Sequence, residues 1–420
     1  MIKKAFFGST SPRLEYTILQ QSDLQPEYIR PSEKLVFHLK KHNGAEEKAL
    51  LEKGEMISIG QKIKPAGNVE YCLSPCAGRI SDISDYKGMI GAEFCRITVE
   101  IDSSAEIPDD DFSQNCHTPT LENGKTFFKG LPGKPDFTVF SDPEQPIQTI
   151  AILGIDDELL CITNQFFVQN DPERIKTGID ILGDLTGIDD IVLCIPRQLK
   201  TKAESTGAAI MIIDNDYPNA NRELISRQLS SGNDLNQNIA FFSAETVSTL
   251  AELGSAKPEL LHKTMTVVSK SGDTHIVSAP IGLPVRDILH YLDETVDSGD
   301  RVIIGGPMHG TAIYSVDVPI MADTDILMVQ SEQDIVTSDD VSCFNCGACV
   351  RACPAHIQVN NLIRLLDNGM YQEAAEEYHL FSCIDCALCS YVCEARIAVF
   401  HHIKLAKQAL EGTETYERYA

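Results

Sequence analysis

Apolar and polar positions alternate along the first quarter of the chain and then change period. Residues 36–39, 56–63, 78–83 and 96–101 alternate apolar with polar side chains, which predicts short strands buried on one face. Turns are predicted at Lys53-Gly54, Gly67-Asn68 and Lys87-Gly88. From about residue 148 the apolar runs become continuous: 149–154, 191–195 and 208–213 read as fully buried strands. Asp171-Pro172-Glu173 opens a helix with Ile175, Ile179, Leu182 and Leu185 on one side, and 219–229 reads as another helix. Strands alternating with helices predict a doubly wound layer. Residues 264–269 and 274–278 form a hairpin pattern that leads into a helix at 281–289, the order of a compact β-grasp. Near the C-terminus, 360–366, 371–378 and 399–410 have helical spacing, with a break at Asn368-Gly369.

Two cysteine runs interrupt the last region. Cys343, Cys346, Cys349 and Cys353, followed by Pro354, are spaced two, two and three residues apart, and Cys383, Cys386, Cys389 and Cys393 repeat that spacing. This is the bacterial ferredoxin pattern, in which three thiolates hold one 4Fe–4S cube and the fourth ligates the other cube. It assigns Cys343, Cys346, Cys349 and Cys393 to one cluster, and Cys383, Cys386, Cys389 and Cys353 to the second. Zinc sites use two pairs of ligands and do not call for the third cysteine of each run. Disulfides fit poorly, because nothing marks the chain as secreted. Glu394 stands where a proline usually follows the fourth cysteine, and a carboxylate there lowers the potential of a nearby cluster.

The chain has 420 residues, enough for several domains, and a net charge of −26. That charge argues against a nucleic-acid partner, disfavours direct docking on anionic lipid, and favours a partner with a basic face. No apolar run approaches the ~20 residues of a spanning helix, and the N-terminus lacks a signal-peptide core. A cytoplasmic protein is expected, without membrane insertion, held at a membrane only through other subunits.

The phrases Gly60-Gln61-Lys62-Ile63 and Ser74-Pro75-Cys76-Ala77-Gly78-Arg79-Ile80 resemble the barrel-sandwich hybrid of lipoyl-type domains, here without the Asp-Lys hairpin that carries lipoate or biotin. The helical insert between the cysteine runs resembles the α-helical ferredoxin domains of respiratory subunits. With Gly305-Gly306-Pro307-Met308-His309-Gly310 and Val318-Pro319-Ile320, the whole order resembles the RnfC family of the Rnf electron-transport complexes. More loosely, it is similar to the corresponding component of the sodium-pumping NADH:quinone reductase. The resemblance implies a multidomain α/β and α+β protein. Its parts are an N-terminal extension (1–32), a barrel-sandwich hybrid (33–102), an irregular linker (103–147), a Rossmann-like domain (148–260), a β-grasp domain (261–330) and a C-terminal α-helical dicluster ferredoxin domain (331–420).

The chain departs from that family at two places. The family's glycine-rich flavin and nucleotide loop is replaced by 123–135, and its acidic Asn-Gly-Ala-Glu-Cys-Glu-Pro stretch by Gly154-Ile155-Asp156-Asp157-Glu158-Leu159-Leu160-Cys161. Without glycines, Cβ atoms keep the backbone from the phosphates. NADH and FMN are therefore not expected, and no catalytic or organic-cofactor residue is assigned. Gly130 and Gly133 with Lys125, Lys129 and Lys134 form a phosphate-like cluster that reads more simply as a solvated loop. Cys161 and Cys194 read as core. Cys72, Cys76 and Cys95 lack a further ligand to complete a metal site. Cys116-His117 reads as surface, His309 as structural, and His356, His401 and His402 as solvated or packing residues.

The expected function is an iron–sulfur electron-transfer subunit of a larger anaerobic redox complex, with two 4Fe–4S clusters and redox protein partners, membrane-bound subunits among them. It is read as a non-catalytic component of an oxidoreductase. The alternatives are an NADH or quinone oxidoreductase with a divergent pocket, and a structural adaptor whose clusters only stabilise the fold.

Overall fold

The computed structural model describes residues 12–19, 24–31, 33–41, 51–64, 70–88, 93–102, 108–230, 238–336, 341–411, 413 and 415–416. The predicted turn at Gly67-Asn68, the first eleven residues and residues 337–340 of the acidic linker lie outside these. The chain divides into two compact units. The larger runs from Tyr16 to Asn215 and from Leu224 to Glu332, and the smaller contains the chain up to Glu15, residues 216–223 and the chain from Gln333 onward.

In the larger unit, strands Lys34–Lys40, Glu93–Ile101, Gly78–Lys87 and Met56–Ile57 form an antiparallel sheet in that order, with a bulge between Ile80 and Asp82. A two-stranded ladder, Lys62–Ile63 with Cys72–Leu73, completes the barrel-sandwich part. Alternation turns Leu35, Phe37 and Leu39 inward, where they share one core with Met265, Val267, Val277 and Leu327 of the β-grasp sheet. Gly282 makes that approach feasible: its φ is 94°, and an added Cβ would lie 2.7 Å from the Phe37 ring. The β-grasp sheet has six strands, and its edge strand Glu27–Tyr28 pairs parallel to Thr274–Pro280. That strand comes from the segment read as an extension, and two residues are too short to show a period.

The α/β layer has four parallel strands in the order Ala209–Ile213, Ile191–Pro196, Thr149–Leu153 and Ile239–Ser243. Strand order third, second, first, fourth is Rossmann-like. Helix Pro172–Thr186 starts on an Asp171 cap with proline in its first turn and stops at Gly187, whose φ is 71°. Residues 103–147 were expected to be irregular, but they contain helices Asp110–His117 and Leu121–Thr126. Phe112, Phe127, Phe128, Leu131 and Phe137 from this stretch are buried in the α/β core. These helices are too short to display a 3.6-residue period among the prolines and glycines. Cys116, read as surface, is likewise buried on the inner side of its helix.

In the smaller unit, helices Val359–Leu366, Tyr371–Tyr378 and Val399–Leu410 pack on one another through Leu362, Ile363, Ala374, Ala375, Phe400 and Ile403. Gly369, with φ 69°, turns the chain between the first two. Among the described residues, no helix is long and apolar enough to cross a membrane.

Candidate iron–sulfur centre

The two cysteine runs fold as copies of one loop, each residue matched by one forty positions later. Left-handed backbone occurs at Asn345 (φ 60°) and Asp385 (58°), at Gly347 (73°) and Ala387 (55°), and at His356 (57°) and Arg396 (54°). A non-glycine residue in that region costs about 1–2 kcal/mol, so repeating the conformation at matched sites marks a constraint imposed by the loop's task. Left-handed residues that interrupt a loop turn its N–H groups toward a common centre, the backbone concavity that cradles iron–sulfur groups. The hydrogen bonds repeat as well. Cys353 N–H reaches Val350 O and Cys393 N–H reaches Ser390 O, while His356 N–H reaches Cys353 O and Arg396 N–H reaches Cys393 O. Each run then makes a short helical turn, Ala348–Ala352 or Leu388–Tyr391, and the two turns pack together.

The thiols of each run are close enough to perturb one another. Burial pushes Cys349 up to about 11, helped by the charges of Cys343 and Cys346. Burial pushes Cys389 well above its usual value, with Cys383, Cys386 and Cys349 adding to the effect. Cys383 is pushed up to about 12 by burial and then by Asp385. Cys349 and Cys389 thus bring the two runs side by side. Iron held by these thiols would replace their protons and relieve the repulsion. Among the described residues, no three ligating groups converge tightly enough to hold a single ion. The doubled run of four thiols and its left-handed cradle are the donor set that 4Fe–4S cubes use.

The runs differ in their surroundings. Cys346 is exposed, and Phe344 beside it is 57% exposed, whereas Cys386 and Cys389 are buried. Three side chains clamp the backbone of the second run. Tyr217 donates its hydroxyl to Cys386 O at 2.8 Å, Asn221 Nδ2 donates to Ile384 O at 3.1 Å, and Lys407 Nζ donates to Cys383 O at 2.9 Å and to the Asp385 carboxylate at 2.8 Å. Sequence reasoning missed Tyr217 and Asn221, which sit in a polar turn of the α/β region that belongs to the smaller unit only once the chain is folded.

In a Rossmann-like sheet, ligands bind where the strand order reverses, here between the ends of Thr149–Leu153 and Ile239–Ser243. The loop at Pro132-Gly133 packs against the fourth-strand side of that crevice. Pro132 O accepts from Thr246 Oγ1 at 3.1 Å, and Gly133 N–H donates to Ala322 O at 2.7 Å. A Cβ on Gly133 would lie 2.3 Å from Thr246 Oγ1, so the loop packs closely on the start of the helix that follows the fourth strand. Lys134 is committed to Glu70 at 2.9 Å and Asp323 at 3.3 Å. The acidic stretch after the first strand ties loops together. Buried Asp156 accepts from Asn164 N and Nδ2, and burial pushes it up to about 6. Glu158 accepts from the N–H groups of Met308 and His309, and burial pushes it up to about 6. A Cβ on Gly306 would lie 2.2 Å from Glu158 Cγ, which explains a glycine in that loop.

The remaining residues fall into place around these. His309 Nδ1 lies 3.4 Å from Glu158, and His402 Nδ1 3.5 Å from Asp367. Burial lowers His401 from its usual value. Cys161 is buried against Thr163 and Thr266, and Cys194 is buried in its strand. Cys72, Cys76 and Cys95 pack in the barrel-sandwich core.

Comparison with known proteins follows the same division. A family model for a 4Fe–4S dicluster domain matches residues 335–394, and one for the RnfC barrel sandwich hybrid domain matches residues 19–104. The C subunit of a proton-translocating ferredoxin:NAD(+) oxidoreductase complex from Clostridium ljungdahlii is 22% identical over 409 residues, covering 90% of this chain and 88% of that protein. The C subunit of an ion-translocating oxidoreductase complex from Klebsiella pneumoniae is 22% identical over 354 residues, covering 77% of this chain. The match spans 47% of the Klebsiella protein, about half its length. Among solved structures, an NAD+-reducing NiFe-hydrogenase in its H2-reduced state overlays 75% of this chain and 65% of its own, at 12% identity and a TM-score of 0.46. The chain carries a 4Fe–4S dicluster domain.

Proposed function

From the premise that this chain is RnfC-like, we propose that it is the iron–sulfur electron-transfer subunit of a larger redox complex. The observation that carries this reading is the doubled cysteine loop with its matched left-handed cradle. We assign Cys343, Cys346, Cys349 and Cys393 to one 4Fe–4S cluster, and Cys383, Cys386, Cys389 and Cys353 to the other. Bound there, the pair supplies one-electron transfer without bond-making at a substrate.

The chain's own residues set the conditions for that transfer. The solvent-facing first run, with Cys346 and Phe344 at its rim, is suited to exchange with a partner. Tyr217, Asn221 and Lys407 hold the second run rigid, which lowers the reorganisation that accompanies a change of charge. The replaced glycine-rich loop at 123–135 supports a reading in which no flavin or nicotinamide dinucleotide is held there in the family manner. The partners are other subunits of the complex, membrane-bound ones among them, and the location is the cytoplasmic side of a membrane, reached through those subunits.

The test is anaerobic titration of the purified chain with NADH and, separately, with dithionite, following iron–sulfur absorbance. Bleaching by dithionite but not by NADH alone is expected. Rapid bleaching by NADH without any partner would defeat the reading.

A further inference from the structure

Strand alternation gives the barrel-sandwich sheet an outer face, and that face carries rings where water would call for polar groups. His38 lies opposite Arg96, and Tyr86 opposite Phe94, across the strands Lys34–Lys40, Glu93–Ile101 and Gly78–Lys87. The His38 and Tyr86 rings stack with centroids 4.1 Å apart and planes 26° apart. Tyr314 continues the stack from Tyr86 at 6.2 Å and 19°, and Phe94 closes the side at 6.3 Å from Tyr86. Tyr314 follows strand Thr311–Ile313, whose hairpin with Arg301–Ile304 stands beside this face. Between hairpin and sheet opens a cleft of about 320 Å³, walled further by Ile304, Ile313 and Val318.

Three features of the cleft narrow what it can hold. Among the described residues lining it, none is a carboxylate, a lysine or an arginine. Burial, then the charge of Arg96, holds His38 far down, at about 4, so its ring is neutral at working pH. The outermost ring of the stack, Tyr314, is left 66% exposed, so one aromatic face has no cover. Ions and sugars find few polar partners here, and the volume lies at the low end of the range for small-molecule sites, too small for a helix or a nucleotide. Aromatic rings prefer offset stacking on other rings, and the open end of this stack presents such a face.

We propose that this cleft binds a planar, uncharged aromatic molecule of one or two fused rings, which extends the His38–Tyr86–Tyr314 stack. The Tyr314 hydroxyl is engaged, donating to Lys87 O at 3.3 Å, and the buried Nε2 of His38 has no hydrogen-bond partner among the described residues, which leaves it as one polar atom a ligand can meet. Affinity comes mainly from ring contact and apolar burial, and it does not depend on the iron–sulfur reading.

2-Naphthol is a neutral, two-ring probe. The chain has no tryptophan, so indole emission does not interfere with naphthol fluorescence. Full-length protein, prepared anaerobically, is titrated with 2-naphthol and checked by equilibrium dialysis. Saturable binding at one equivalent is expected. Tyr314→Ala should weaken it at least about tenfold, a clear change on any binding curve. Thr311→Phe, which fills the cleft, should abolish it, and Tyr28→Ala, at an exposed tyrosine outside the lining, should leave it unchanged. Circular dichroism confirms that each variant is folded, and naphthol binding to the wild-type protein tests the site whether or not a variant folds. The proposal is overturned by non-saturable binding, by equal binding to the wild type, Tyr314→Ala and Thr311→Phe, or by a cleft that ignores naphthol yet takes a tryptophan-containing peptide, which would make it a protein-docking groove.

Discussion

Tyr217→Phe removes one hydroxyl and nothing else from the clamp on the second cysteine run. The hydroxyl donates to Cys386 O at 2.8 Å, and the tyrosine is 5% exposed. Its loss strips a buried carbonyl of a donor that water cannot easily replace, at a cost of about 1–2 kcal/mol. That cost falls on the loop carrying Cys383, Cys386 and Cys389 and not on the first run. If opening of that loop limits iron loss, about 1.4 kcal/mol makes it about tenfold faster for one half of the iron. The assay is anaerobic bleaching by a strong iron chelator, read as a time course of iron–sulfur absorbance. The wild type should bleach with two phases of unequal rate, the exposed first run going first. Tyr217→Phe should accelerate the slow phase alone. Asn221→Ala should do the same through Ile384 O, and the double variant should fall short of additivity, because both bonds secure one loop. Identical slow phases in the wild type and in Tyr217→Phe would refute the reasoning.

Ala387→Gly relieves a left-handed alanine and should stabilise the holoprotein by up to about 1 kcal/mol in urea unfolding, whereas Gly347→Ala at the matched position should destabilise it by about 1 kcal/mol. Glu158 has a folded value of about 6, raised above its unfolded one, so the native state binds the extra proton between them. Stability from this group is present at low pH and is lost as pH rises through about 6, by about 2 kcal/mol. Glu158→Gln should flatten the unfolding free energy over that window. Lys263 is fully buried between Glu245 and Asp325. Lys263→Met leaves Glu245 buried and unpaired and should cost about 3–5 kcal/mol in the same assay, with Glu245→Gln in the double variant recovering part of it.

The sequence and the structure agree where local pattern alone decides conformation. The cysteine runs are legible because their spacing repeats at forty residues and the backbone repeats with it, and the helices around Leu362 and Phe400 follow their apolar stripe. The parallel strands were visible as unbroken apolar runs because both faces of Thr149–Leu153 are covered. What was hidden depended on distant parts of the chain. Phe128 and Phe137 sit between prolines and glycines, and only the α/β core they fill makes them ordered. Glu158 reads as one more acid until the Gly306 loop closes around its carboxylate. Tyr217 and Asn221 have no local signature, since their partners, Cys386 and Ile384, lie more than 160 residues away.

Metal and sulfide analysis of protein purified without air tests the central claim most directly. Two cubes predict about eight iron and eight acid-labile sulfide per chain. They also predict a reduced-state EPR spectrum in which two paramagnets interact. Zinc in place of iron, or about four iron and a single isolated signal, would contradict the account.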